Sequence, residues 1–214
     1  MTTLDAAAVL LDMDGTLIDS TATVDTVWGD FARQAGFDVA EVLATVHGVP
    51  ARATLRRFLG EHADIEPWFA QIAQWEAERF DADVEIPGAV AAVRTLPAGR
   101  WAVVTSALRE PALRRLARLG FPAIDVMIAA EDVARGKPDP EPYRRGAQAL
   151  GADPRECVVF EDADAGVRAA LAAGATVVVV GTLDTDATVG LARVRDMSDV
   201  RFSASEQGVR VKLG

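Results

Sequence analysis

Cysteine is nearly missing: Cys157 stands alone in 214 residues. One thiol excludes an internal disulfide framework and any zinc site built on clustered cysteines, and it fits a reducing compartment. Flanked by Val158, Val159 and Phe160, it reads as a buried core thiol. Histidine is almost as scarce. His47 and His62, with no cysteine nearby, are poor candidates for a zinc centre. Basic charge is also short, with 22 Lys and Arg against 32 Asp and Glu for a formal net charge of −10. Nonspecific nucleic-acid binding needs a basic surface that displaces counterions from phosphates, so no nucleic-acid partner is expected.

Long apolar runs are lacking as well. The longest uncharged, mostly apolar stretch, Ala169 to Leu183, falls short of the roughly 20 residues a membrane span needs. Gly174 and Gly181 punctuate it into a helix end, a strand and a loop. Met1-Thr2-Thr3-Leu4-Asp5 has neither the basic start nor the apolar core of a signal peptide. No membrane partner is expected, and the protein is expected to be cytoplasmic. Internal repeats and low-complexity tracts are absent; the sequence is silent on oligomeric state, for which a monomer is the default expectation. A hydrophobic content of 50% with 25% charged residues argues against bulk disorder.

What is present is a series of short apolar runs. Ala7 to Leu11, Trp101 to Val104, Val126 to Ala129, Cys157 to Phe160 and Thr176 to Val180 are apolar on both faces, as strands buried in a parallel sheet must be. Helical patterns lie between the later ones. Leu113, Leu116 and Leu119 recur after Pro111 and before Gly120; Pro142 to Leu150 precedes Gly151, and Ala163 to Ala173 precedes Gly174. Strand and helix in alternation predict an α/β fold with a doubly wound parallel sheet. Between Asp12 and Trp101 the rhythm breaks. Val24, Val27, Trp28 and Phe31 form a helical stripe closed by Gly36; shorter stripes at Val42, Leu43 and Val46 and at Leu55, Phe58 and Leu59 follow. Trp68, Phe69, Ile72, Trp75 and Phe80 form the longest, and tryptophans at helical spacing read first as core. The prediction is a helical insertion, residues 18–83, in a core made of 1–17 and 84–214. Arg201 to Ala204 and Val209 to Leu213 alternate around a glycine-containing turn and predict a hairpin.

The chemistry concentrates where these strands end. Ligands of open α/β sheets bind beyond the carboxyl ends of the strands. The first run ends in Asp12-Met13-Asp14-Gly15-Thr16 and the second in Thr105-Ser106; Gly136-Lys137-Pro138-Asp139-Pro140 follows the third, and the fourth ends in Glu161-Asp162. A calcium loop counted from Asp12 fails, because Leu17 and Thr23 occupy the places of its glycine and glutamate. A Walker loop before Lys137 fails, because Glu131 stands where its first glycine belongs. Each residue also has a plain structural reading: Thr105 as a turn hydroxyl, Lys137 as a solvated charge, Asp162 as a helix cap. A hydroxyl, a cation and two acidic groups on one edge favour a phosphate site over four separate coincidences.

These segments resemble the four ordered motifs of the haloacid dehalogenase-like hydrolases, over essentially the whole chain. The helical insertion resembles that family's first type of cap. Ile86-Pro87-Gly88-Ala89-Val90, Trp101 to Ser106, Gly136 to Tyr143 and the pair His47-Gly48 are similar to segments of its sugar-phosphate phosphatases, the glycerol and deoxyglucose-phosphate phosphatases among them. The resemblance implies Asp12 as nucleophile, forming an aspartyl-phosphate, and Asp14 as general acid and base. It implies Mg²⁺ held by Asp12, the Asp14 main-chain carbonyl and Asp162, with Glu161 ordering its waters. Thr105, Ser106 and Lys137 would neutralise the transferring phosphoryl group. The implied substrate is a small phosphorylated sugar or polyol, with His47, Arg52 and Thr54 as candidate contacts to its hydroxyls. Closure of the cap would exclude bulky substrates. A phosphosugar mutase is the alternative within the family. Related β-phosphoglucomutases carry a histidine in the first cap helix and a residue other than threonine after the motif glycine. Val24 and Thr16 stand at the matching positions, which favours hydrolysis. A receiver-type signalling module uses similar groups, but the lead aspartate after the first strand and the helical insertion argue against it.

Overall fold

The computed structural model describes residues 2–46, 49 and 51–214, so His47 lies outside the described residues. The chain divides into two compact units, Met1–Asp19 with Val84–Gly214, and Ser20–Asp83.

The larger unit is built on a six-stranded sheet in which every paired neighbour is parallel. Across the sheet the order is Met127–Ile128, Trp101–Val104, Ala8–Leu11, Cys157–Glu161, Thr176–Val180, Ala192–Val194. The strands alternate faces residue by residue. Val9, Leu11, Val103, Val158, Phe160, Val178 and Val180 join one core cluster, while Leu10, Ala102, Val104, Val159, Val177 and Val179 join the other. This double burial explains why the strands read as unbroken apolar runs. Cys157 belongs to the second cluster, and burial first of all pushes its thiol up to about 11. The helices Glu141–Ala149 and Asp164–Ala173 cover the second face; Arg109–Arg118 packs on the first.

The order of the strands decides where a ligand can sit. From Ala8–Leu11 the chain builds outward to one edge through Trp101–Val104, then returns to build the other through Cys157–Glu161. The crevice beyond Ala8–Leu11 and Cys157–Glu161 is therefore the topological switch point, where open α/β sheets bind ligands.

Several elements depart from the expectations. The third strand shortens to Met127–Ile128, and Ala192–Val194 adds an edge strand beside Thr176–Val180. The predicted hairpin is present as Val200–Ser205 and Gly208–Leu213, with Ser205 opposite Gly208. It gains an unforeseen partner: Thr2–Ala6 pairs antiparallel with Gly208–Leu213. Ile18–Asp19 and Val84–Glu85 pair as a two-stranded ribbon at the borders of the larger unit.

The smaller unit is helical, with Thr21–Ala35, Val39–Leu43, Ala51–Leu59 and Glu66–Glu78 among its described residues. Its core joins Val27, Trp28, Phe31, Leu55, Ile72 and Trp75. Phe31 meets Trp28 and Trp68 edge to face, at ring separations of 5.5 and 5.0 Å. The three tryptophans of this stretch are therefore packing residues, the first reading of their spacing. No described helix is long and apolar enough to cross a membrane.

Candidate active site

The first strand ends as Asp12 still donates its backbone N–H to the Phe160 carbonyl, 3.1 Å away. Beyond it the chain turns sharply. The N–H groups of Leu17 and Ile18 donate to the Met13 carbonyl, and Gly15 donates to Ile18. Gly15 sits at φ +85°, and a Cβ there would stand 1.9 Å from Asp162 Oδ2. Only glycine lets this turn approach the end of the fourth strand so closely.

Lys137 reaches into the crevice from the turn after the third strand. Glu141 anchors that turn by accepting the N–H groups of Ala134 and Arg135, both at 3.1 Å. The ammonium is buried, and it donates to Asp12 Oδ1 at 2.5 Å, Glu161 Oε1 at 2.7 Å and the Val104 carbonyl at 3.1 Å. All three of its protons thus have acceptors. The reading of Lys137 as a solvated charge is excluded. Glu161, 1% exposed, also accepts from the Tyr143 hydroxyl at 2.8 Å through Oε1. Its Oε2 accepts the N–H groups of Asp162 and Ala163, both at 3.0 Å. Asp162 does not cap the following helix; Ala163 holds that position without a side-chain bond.

Negative charge is in surplus here. Asp12, Glu161 and Asp162 bring carboxylate oxygens within 4.8 Å of one another. Burial raises Asp12 well above the usual carboxylate range; Glu161 and Asp162 push the same way, and Lys137 only partly opposes them. Asp162 is pushed up to about 7, by burial first and then by Glu161, again against Lys137. For Lys137, burial alone would favour the neutral amine, but Asp12 and Glu161 outweigh it and hold the ammonium charged. Burial, with Glu161 next, lifts the Tyr143 hydroxyl, which remains a neutral donor. Carboxylates crowded beyond what one ammonium can balance suit a hard divalent cation, and an oxygen-only donor set suits Mg²⁺.

The remaining expected residues lie in several settings. Thr105 is buried at the end of the second strand, where its hydroxyl accepts the Ala107 N–H at 3.0 Å. Ser106, next along, is exposed. Asp14 turns to Arg115, which donates to it at 2.6 Å. In the helical unit, both guanidinium NH₂ groups of Arg52 pair with Glu66, and Arg52 lies 3.9 Å from the Phe69 ring centre. The Thr54 hydroxyl is buried with no hydrogen-bond partner among the described residues.

Two residues of the site had not been singled out for a role, Tyr143 and Arg115. The lone tyrosine of the chain, on a helix whose other buried positions are small or apolar, was the available signal for the first. For the second it was a charge within a buried stripe. The helix buries Ala112, Arg115 and Leu116, whereas Leu113, assigned to the stripe by its spacing, is 36% exposed.

Gly166 carries a stability prediction. A Cβ there would stand 1.6 Å from Glu161 Oε1, so alanine must displace the carboxylate from Lys137 and Tyr143. Overpacking and a broken buried network together should cost about 3 kcal/mol. Gly166→Ala is expected to lower the melting temperature by roughly 6–12 °C; a scan within about 1 °C of the parent would show that Glu161 has room to move.

Residues 6–174 match the family profile described as haloacid dehalogenase-like hydrolase. Hexitol phosphatase A of Escherichia coli is 45% identical over 175 residues, covering 80% of this chain and 81% of that protein. Glycerol-1-phosphate phosphohydrolase 2 of Saccharomyces cerevisiae is 35% identical over 190 residues, covering 84% and 76%. The crystal structure of a hydrolase from Pseudomonas syringae superposes with a TM-score of 0.77 at 26% identity, covering 90% of this chain and 94% of that one.

Proposed function

The chain belongs to the haloacid dehalogenase-like hydrolases, and from that premise we propose that it hydrolyses small phosphorylated sugars or polyols through an aspartyl-phosphate on Asp12. The observation that carries this reading is the meeting of Asp12, Lys137, Glu161 and Asp162 at the switch point of the sheet. Its named relatives, a hexitol phosphatase and a glycerol-phosphate phosphohydrolase, supply the substrate class.

In the first step an Asp12 oxygen attacks phosphorus, the ester P–O bond breaks, and Asp14 gives a proton to the departing alkoxide. In the second, Asp14 takes a proton from water, which attacks phosphorus and releases inorganic phosphate and the Asp12 carboxylate. The Lys137 ammonium, the Thr105 hydroxyl and the Ser106 N–H balance the negative charge of the phosphoryl oxygens. Glu161 and Tyr143 keep Lys137 aimed at Asp12, since Glu161 Oε1 accepts from both the Lys137 ammonium and the Tyr143 hydroxyl. Asp12, the Asp14 main-chain carbonyl and Asp162 would hold Mg²⁺, to which Glu161 adds charge. When bound, the ion supplies Lewis-acid neutralisation of the phosphoryl oxygens.

The test is a phosphate-release screen over hexitol, hexose and glycerol phosphates, nucleotides and phosphopeptides, run with Mg²⁺ and again with excess EDTA. The polyol and sugar esters should lead, and chelation should abolish release. Mg²⁺ should also raise the melting temperature, because it binds the folded acidic cluster and not the unfolded chain. Full turnover in EDTA would remove the metal from the mechanism. A preference of about tenfold or more for a nucleotide or phosphopeptide, about 1.4 kcal/mol in the transition state, would overturn the sugar reading.

A further inference from the structure

Arg115 is the one charged side chain on the stripe that helix Arg109–Arg118 turns to the core, and it is 7% exposed. A guanidinium is almost never buried without a partner, because losing its water is costly. Its Nη2 donates to Asp14 Oδ1 at 2.6 Å, and its Nη1 lies 3.4 Å from Asp14 Oδ2. The Asp14 side chain keeps 38% of its surface exposed, so one side meets the guanidinium while the other stays open. The turn from Met13 to Ile18 fixes the Asp14 backbone through its own hydrogen bonds. What the turn leaves free is the side-chain torsion, and the two-pronged contact with Arg115 restrains it.

We propose that Arg115 is the positioning residue for Asp14, its fork setting the direction in which the carboxylate meets the ester oxygen. This rests on the acid–base reading of Asp14 above. Proton transfer needs donor and acceptor within about 3 Å, and a misplacement of about 1 Å can cost on the order of 100-fold. A planar fork holds both carboxylate oxygens at once, which a lysine ammonium cannot do. Arg115 needs no contact with the reacting atoms for this role.

The experiment compares Arg115→Met, Arg115→Lys and Asp14→Asn on glycerol phosphate and p-nitrophenyl phosphate, with Mg²⁺ present. A departing alkoxide needs a proton, whereas nitrophenolate leaves without one. Arg115→Met is expected to lower kcat on glycerol phosphate about 100-fold, with KM within about threefold. Its first-turnover release of nitrophenol should stay within about threefold of the parent. Arg115→Lys, which keeps the charge and loses the fork, should fall between, and it carries the test if the methionine variant does not fold. Equal losses on both substrates, in step with the folded fraction, would make Arg115 merely structural and overturn the proposal. Unchanged rates on both would overturn it too. If Asp14→Asn shows the contrast between substrates and neither Arg115 variant does, the assignment of Arg115 alone falls. If Asp14→Asn shows no contrast, the acid–base reading fails and takes this inference with it.

Discussion

Asp12→Asn is expected to lower phosphate release by at least about 10⁴-fold while leaving the fold intact or firmer. The amide keeps the shape of the carboxylate but loses the charge and lone-pair reactivity that attack phosphorus. Stability should move the other way. Asp12 is buried, and Glu161 and Asp162 as well as burial work against its ionised form. Removing one of these negative charges leaves Lys137 still paired with Glu161 at 2.7 Å, so no buried cation is stranded. The melting temperature without added metal should therefore hold or rise. Phosphate release and a thermal scan on the same preparation check both halves. Activity near the parent level would place the nucleophile elsewhere. A clear fall in melting temperature would mean that the Asp12–Lys137 pair stabilises the fold more than the repulsion strains it.

The conflict between negative charge and burial at Asp12 explains why part of this site is legible in the sequence. A site that strains its own fold must be built from residue types that a core would otherwise reject. Asp12 and the pair Glu161-Asp162 stand out because each comes directly after an apolar run, where a strand has just delivered its chain to the edge of the sheet. Lys137 stands out through the proline-rich turn around it. The double burial of the central strands makes them equally plain. Thr2–Ala6 is hidden for the converse reason: most of it is exposed, and few of its side chains are apolar enough to show an alternation. Its pairing with Gly208–Leu213 joins the two ends of the chain, a contact no local pattern can announce.

Arg115 shows a different limit. Leu113, Leu116 and Leu119 fit a spacing of three, but the helix repeats at about 3.6 residues, and its buried stripe runs through Ala112, Arg115 and Leu116. Hydrophobicity alone rotates the helix toward the wrong face, because an arginine is counted as polar even when a carboxylate waits for it. The stripe becomes readable only with the position of Asp14, which the tertiary fold supplies. Glu161 is a related case. Its place beside Asp162 suggests a role at a cation, yet each of its oxygens accepts two hydrogen bonds from protein donors. Its oxygens aim Lys137 as well as adding charge to the cluster.

Lys137→Met puts that arrangement under the largest load. The substitution keeps an unbranched side chain of similar length and removes the one ammonium bonded to both Asp12 and Glu161. Breaking a buried ion pair from one side costs about 3–5 kcal/mol, since the abandoned charge stays buried. Total stabilities are only about 5–15 kcal/mol, so the melting temperature should drop by roughly 6–20 °C. Part of the cost is avoidable if a carboxylate takes up a proton, and burial already favours this at both Asp12 and Asp162. A divalent cation offers another remedy. Added Mg²⁺ should raise the melting temperature of Lys137→Met by more than that of the parent, because it meets a larger surplus of negative charge. It should not restore turnover, since the phosphoryl oxygens still lack the lysine; loss of one such electrostatic group costs about 10²–10³ in kcat. Thermal scans with and without Mg²⁺, beside phosphate release, separate the two effects. If Mg²⁺ restored both stability and turnover, Lys137 would be only a counter-ion for Asp12 and Glu161, and its role toward the phosphoryl group would be refuted.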